Sequence, residues 1–189
     1  MANKAIHPTR KLTGDKDVRG YMRIKVLSID PGPTQSAYVI WDGEKILDKD
    51  ILSNWELLDC LALYDPHSLI AKVNFAAIEF IKSSRGMPVG EPVFQTVFWI
   101  GVFVNEMGHL NFNKERKWFC HLMGRSEVKS HICGSQRARD SNIRQALIDR
   151  FGPPGTKKEP GLTYNLKKDL WQAFALAVTY YDLYLQDKS

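Results

Sequence analysis

Hydrophobic and polar positions divide the chain into short apolar or alternating runs in its first half and longer runs of helical period in its second. Ile24 to Ile29 (IKVLSI) is a β-branched apolar run that stops at Asp30-Pro31-Gly32, where proline and glycine end a strand. Ala37 to Trp41 (AYVIW) predicts a second strand, Asp42-Gly43 a two-residue hairpin turn, and Lys45 to Ile51 the returning third strand. Asn54 is placed to cap a helix reaching about Tyr64, with Leu57, Leu58, Leu61 and Ala62 on one face. Phe75 to Ile81 (FAAIEFI) is apolar but for Glu79, the pattern of a strand buried on both faces. Ser83 to Gly90, with Gly86 and Pro88, predicts a loop, and Pro92 to Glu106 a strongly apolar helix. Lys117 to Leu122 predicts a fifth strand. Ser126 to Ile132 and Ser141 to Phe151 predict two helices either side of Gly134-Ser135-Gln136-Arg137. Gly152 to Gly161 is a proline- and glycine-rich loop, and Lys167 to Leu185 the last helix. Three antiparallel strands, a helix, a central strand and then mostly helices indicate an α/β fold, a mixed five-stranded sheet flanked by helices.

Composition narrows this picture. The 189 residues suit one domain, residues 23–189, behind a basic flexible arm of residues 1–22 that also carries Asp15 and Asp17. No apolar stretch approaches the roughly 20 residues of a membrane span. The N-terminus lacks the apolar segment of a secretory signal. Cys60, Cys120 and Cys133 are scattered with no CxxC pair, which argues against structural zinc and for free thiols in a reducing compartment. A cytoplasmic location is therefore expected, with organellar import through the basic arm as the alternative. The net charge of +5 favours a polyanionic partner without singling out nucleic acid.

Three carboxylates stand out. Asp30 closes the first strand, and an Asp before Pro-Gly serves equally well as a turn residue. Glu79 interrupts an apolar strand, where a carboxylate without a partner costs several kcal/mol, so it needs a cation, a metal or exposure at the strand end. Asp169 falls in the first turn of the last helix, where the helix dipole alone favours it. If the strands ending at Asp30 and Glu79 are parallel neighbours, both carboxylates meet at one sheet edge and Asp169 can join them. Crowded carboxylates repel one another, and divalent cations relieve the repulsion. Magnesium accepts such an oxygen shell, and two ions roughly 4 Å apart can activate water and stabilise a leaving oxygen.

Ile29-Asp30-Pro31-Gly32 followed by Ala37-Tyr38-Val39-Ile40 resembles the opening motif of RuvC-type Holliday junction resolvases. Ala76-Ala77-Ile78-Glu79 resembles their second motif. Val128-Lys129, Gly134, Ala138-Arg139 and Asn142 to Leu147 resemble their basic segment, and Asp169 with Ala173-Phe174-Ala175-Leu176-Ala177 their last. The match spans about residues 24 to 182. The resemblance implies an RNase H-like fold, a homodimer, two magnesium ions with manganese as a substitute, and phosphodiester hydrolysis at four-way DNA junctions in a bacterial or phage-infected cell. By position it implies Asp30, Glu79 and Asp169 as metal ligands, and Lys129 and Arg139 against the scissile strand.

The pattern departs from the family at three points. The family's second acidic residue of the last motif is here Gln172, one helical turn after Asp169, able to offer a metal an uncharged amide oxygen. Weaker occupancy of one metal position follows. Substitution by Glu91 is the alternative, while Asp182 lies too far round the helix. Gln136 stands where the family often has a second glycine. Lys82 stands where the family often has an aromatic residue, with Phe80 on the opposite strand face, so Lys82 and Arg85 are expected to touch phosphates.

Arg125, Lys129, Arg137, Arg139, Arg144 and Arg150 are opposed in their segment only by Glu127, Asp140 and Asp149. They are expected to contact DNA phosphates, since the segment lies just ahead of the helix that carries Asp169, with a solvated helical face as the alternative. Trp99, Trp118 and Trp171 are expected in the core, and His121 and His131 are given no role. Leu57, Leu58, Leu61 and the helix around Val97 to Val104 fit a dimer interface or ordinary core. Three other functions stay open: a nuclease of this fold acting on RNA or plain duplex, a binder of branched DNA without activity, and a nucleotide-binding ATPase-type domain. The last lacks a second glycine-rich phosphate loop.

Overall fold

The structure is a computed structural model and describes residues 23–62, 67–82, 89–108 and 120–185. The arm of residues 1–22, Arg85, Trp118 and most of the loop from Ser83 lie outside the described residues. The elements run β1 (Val26–Asp30), β2 (Gln35–Trp41), β3 (Ile46–Ser53), α1 (Asn54–Leu61), β4 (Phe75–Phe80), α2 (Glu91–Gly108), β5 (Cys120–Gly124), α3 (Arg125–Cys133), α4 (Asp140–Phe151) and α5 (Leu170–Tyr184). The strands form one sheet in the order β3-β2-β1-β4-β5. β1, β2 and β3 pair antiparallel, while β4 joins β1 and β5 joins β4 in parallel. This is the mixed sheet expected, and the architecture is RNase H-like.

Several boundaries differ from the pattern-based reading. β1 begins at Val26 rather than Ile24, because the Lys25 amide is taken by the Asn74 side chain (2.8 Å) ahead of the ladder. Helix α1 is capped by Ser53, not Asn54. The Ser53 amide donates to Glu56 and the Glu56 amide to Ser53 Oγ, a reciprocal capping box. The helix stops at Leu61, short of Tyr64. The fifth strand ends at Gly124, two residues beyond the expected Leu122. Helix α5 begins at Leu170 rather than Lys167, because Lys168 takes a left-handed backbone (φ 44°) that a helix interior does not admit.

Strand alternation builds two cores. Val26, Ala77 and Met123 face a layer of α3, α4 and α5, whereas Leu27, Ile29, Ala76 and Ile78 face α1 and α2. Leu57 and Leu61 belong to this second core. Every residue of α5 from Leu170 to Tyr180 is buried, as expected of a helix apolar on nearly all sides. Its alanines let it approach the sheet closely enough for Ser28 Oγ of β1 to donate to the Ala173 carbonyl at 2.7 Å. Trp41 meets Phe174 edge-on, their ring centroids 5.2 Å apart. Truncating the fully buried Phe174 to alanine would cost about 3–5 kcal/mol. No helix among the described residues is long and apolar enough to cross a membrane.

Candidate active site

The parallel register pairs Ile29 with Ile78, so Asp30 and Glu79, each one residue further on, end adjacent strands side by side. Alternation turns both toward the α5 layer, away from Ile29 and Ile78. Burial pushes the Asp30 carboxyl well above the usual carboxylate range. The charge of Glu79 pushes it further, Arg125 opposes, and Asp169 adds a smaller push. Glu79 is only 7% exposed, and burial raises it too, against the pull of Arg125.

The turn after Asp30 is braced from α1. The Gly32 amide donates to Ser36 Oγ (3.3 Å), Ser36 Oγ donates to Asn54 Oδ1 (2.6 Å), and Asn54 Nδ2 donates to the Gly32 carbonyl (3.0 Å). A Cβ on Gly32 would fall 2.4 Å from the Gln35 carbonyl oxygen, so only glycine closes this turn. Asn54 is thus a buried support of the Asp30 turn. The sequence reading missed this because Asn is also a favoured cap. The Ser-x-x-Glu signature at Ser53 and Glu56 was the signal that would have freed it.

Asp169 occupies the N-cap position of α5 rather than its first turn, and its side chain makes no capping bond. Asn165 (φ 60°) and Lys168 (φ 44°) hold strained left-handed backbone in the segment that delivers it. One turn on, Gln172 is 6% exposed and its Oε1 is buried with no hydrogen-bond partner. Such an orphaned oxygen costs about 1–3 kcal/mol and is an acceptor in want of a donor or cation.

Arg125 was read only as one of several cations. In the structure it is the cation of the carboxylate pair. β5 pairs Gly124 with Phe80, which sets Arg125 beside the end of β4. Its Nη1 lies 3.1 Å from Glu79 Oε1 and its Nη2 2.9 Å from Asp140 Oδ2. Lys129 Nζ lies 3.7 Å from the other oxygen of Asp140. Partial burial disfavours the Arg125 charge, but Glu79 and Asp140 outweigh it and keep the guanidinium protonated. Burial likewise works to raise Asp140, and the Arg125 and Lys129 cations overcome it and hold the carboxyl below its usual range.

Hard oxygen donors suit magnesium. Their arrangement does not fit the two-ion centre expected: among the described residues no group of three or more His, Cys, Asp or Glu is placed to hold a metal ion. Glu79 is committed to Arg125 instead.

The other expected residues fall as follows. Lys82 is exposed, and its side chain lies across Gly124, where an added Cβ would stand 2.8 Å from its Cε. Arg137 and Arg139 are exposed in the α3–α4 turn. Arg144 is exposed on α4 and lies 5.2 Å over the ring of Trp171. Glu91 starts α2 and accepts from Gln95 (2.9 Å). Asp182 pairs with Arg150 and with His131, which the sequence reading left without a role. Trp99 and Trp171 are buried. On α2 the outer face exposes Phe94, Val97 and Phe98.

No protein-family model and no curated protein matches the sequence. Solved structures do match. The Thermus thermophilus RuvC structure aligns over 84% of this chain and 95% of its own, at 17% identity and a TM-score of 0.53. T. thermophilus RuvC in complex with Holliday junction substrate aligns over 83% of this chain and 92% of its own, at 16% identity and a TM-score of 0.54. The chain has the RuvC fold. In this RuvC-like framework Asp30 and Glu79 sit at the C-terminal ends of two central parallel strands, and Asp169 heads the helix packed across them.

Proposed function

We propose that the chain is a nuclease that hydrolyses backbone phosphodiesters of branched DNA, four-way junctions above all. The observation that carries this reading is the pair Asp30 and Glu79, buried side by side on adjacent parallel strands within a RuvC-like fold. One solved protein of that fold is in complex with Holliday junction substrate.

Asp30, Glu79 and Asp169 supply the negative charge of the reacting centre, and Gln172 adds a neutral oxygen. Asp30, Asp169 and Gln172 would have to close up from their present arrangement to hold magnesium, or manganese in its stead, which would then supply Lewis acidity and an activated water. The chain's own contribution is to hold the carboxylates rigid through the β1–β4 register and the Asn54 brace. Lys82, Arg85, Lys129, Arg137, Arg139 and Arg144 meet DNA phosphates, giving affinity and orientation rather than sequence choice. The exposed Phe94, Val97 and Phe98 face of α2 suits pairing of two chains, as paired cuts in two of a junction's four strands require.

The test is nicking of a synthetic four-way junction beside linear duplex and RNA–DNA hybrid, with magnesium, for wild type and Asp30→Asn. Wild type is expected to nick the junction preferentially, and Asp30→Asn to lose on the order of a thousandfold in rate. Equal rates for wild type and Asp30→Asn would sink the nuclease reading. Equal cutting of all three substrates would remove junction selectivity and leave a general nuclease. A second reading, a branched-DNA binder with little activity, is favoured by the commitment of Glu79 to Arg125 and by the neutral Gln172. Tight junction binding with no metal-dependent nicking would support it.

A further inference from the structure

Two of the cations on α3 and α4 are tied to carboxylates of the protein itself. Arg125 pairs with Glu79 and Asp140, and Arg150 with Asp182. The segment that joins α4 to α5 is different. From Gly152 to Lys168 it carries Lys157, Lys158, Lys167 and Lys168 against the single carboxylate of Glu159. All four lysines are exposed, and among the described residues none of them pairs with a carboxylate. The segment returns the chain from the end of α4 to the head of α5, so it leads directly into Asp169.

Unpaired lysines are ordinary on a loose loop, but this one is tightly bonded. Gly155 bridges Pro160, the Thr156 amide donates to the Glu159 carbonyl (2.9 Å), and the Glu159 amide donates to Thr156 Oγ1 (3.2 Å). The Gly161 amide donates to the Pro154 carbonyl (2.8 Å). These bonds close a hairpin whose two-residue tip is Lys157-Lys158. Gly155 takes a left-handed backbone (φ 73°), and a Cβ there would run into the Glu159 carbonyl oxygen. Behind the hairpin, Leu166 belongs to the core beneath α5 and Leu162 packs against it, while Lys49 of β3 donates to the Tyr164 carbonyl. At the far end of the segment Lys168 holds φ 44°, a backbone strained for lysine and open to glycine. That strained residue stands immediately before Asp169.

We propose that this segment is a second phosphate-binding surface. Lys167 and Lys168 grip the DNA backbone beside the carboxylate site, and the Lys157-Lys158 tip grips it further along the same arm. This rests on the branched-DNA reading and extends it beyond Lys82, Arg85 and the cations of α3 and α4. A lysine ammonium is a point charge with three donors, suited to phosphate oxygens and blind to base sequence. A backbone already held by the hairpin and the core loses less freedom on binding than a loose loop would.

The experiment measures binding of the full chain to a fluorescent four-way junction by anisotropy across a salt series, in EDTA so that no cleavage intervenes. Folding of each variant is checked by thermal denaturation. Lys157→Gln with Lys158→Gln should flatten the log–log salt slope by about two units, and Lys168→Gly by about one. Lys168→Gly should be at least as heat-stable as wild type, because glycine takes the left-handed backbone freely, so its weaker binding reports the lost charge. Lys72→Gln removes an exposed lysine from the turn whose Ile70 and Val73 belong to the core on the other face of the sheet, and should keep the wild-type slope. An unchanged slope in either lysine variant, or equal flattening by Lys72→Gln, would overturn the proposal and leave the branched-DNA reading standing. A wild type that binds no junction would overturn both.

Discussion

Two clusters set carboxylates against cations at opposite ends of helices α3 and α4. At the ends of these helices, Asp182 of α5 receives both guanidinium nitrogens of Arg150 (2.5 and 2.9 Å) and lies 2.8 Å from His131 Nε2. Burial works to raise Asp182, yet Arg150 and His131 outweigh it and hold the carboxyl below its usual range. At the beginnings of α3 and α4, Arg125 and Lys129 are shared among Asp140, Glu79 and the nearby Asp30. There Asp30 and Glu79 stay raised, because burial disfavours their charge and the neighbouring cations do not overcome it. The first cluster is balanced and holds three helices together. The second is short of positive charge, which is the condition of a site that gains stability when a cation arrives.

Opposite responses to neutralisation would sharpen that contrast. The largest effect is expected from Asp182→Asn, which strips Arg150 and His131 of their shared partner and should lower stability by about 2–4 kcal/mol at neutral pH in chemical denaturation. Asp182 is depressed in the folded state, so its contribution is present above the unfolded carboxylate value and lost as pH falls through the folded one. The deficit should therefore vanish in acid. Asp30→Asn should act in reverse, raising stability by about 1–3 kcal/mol at neutral pH in a chelator, because it removes a charge that burial disfavours. Asp30 is raised, so the wild-type penalty grows as pH climbs toward the folded value, and the gain should disappear below about pH 4, where Asp30 is protonated in both states. A loss of stability in Asp30→Asn at neutral pH would erase the distinction between the clusters. The smallest effect concerns DNA. Arg139→Ala should reduce the salt dependence of junction binding by about one unit of log–log slope, while Arg150→Ala, tied to Asp182, should leave that slope unchanged. Equal slopes for the two variants would mean that Arg139 meets no phosphate.

Asp30 and Glu79 could be read from sequence because each breaks a strong local pattern. One ends a β-branched run at Pro-Gly, and the other is the lone charge in FAAIEFI. Arg125 could not be told from its basic neighbours in this way. Which of them reaches Glu79 depends on β5 pairing Gly124 with Phe80, a contact set 44 residues away along the chain from strand to strand. Asn54 was misplaced for a local reason. Asn and Ser both cap helices, and the choice fell to Ser53 once Glu56 closed the box and Asn54 was drawn to Gly32 and Ser36. Asp169 was placed three positions too deep, since nothing in Lys167-Lys168 announces the left-handed turn that delays the helix.

The sequence by itself determined the strands, the helices and their order, because apolar period and Pro-Gly breaks are local and strong. It also determined which carboxylates had to be explained. Tertiary structure alone decided how those charges are balanced. Pairing of Arg125 with Glu79, and of Arg150 with Asp182, depends on distances of a few ångströms between distant segments, and Coulomb interactions in a partly buried setting turn on those distances.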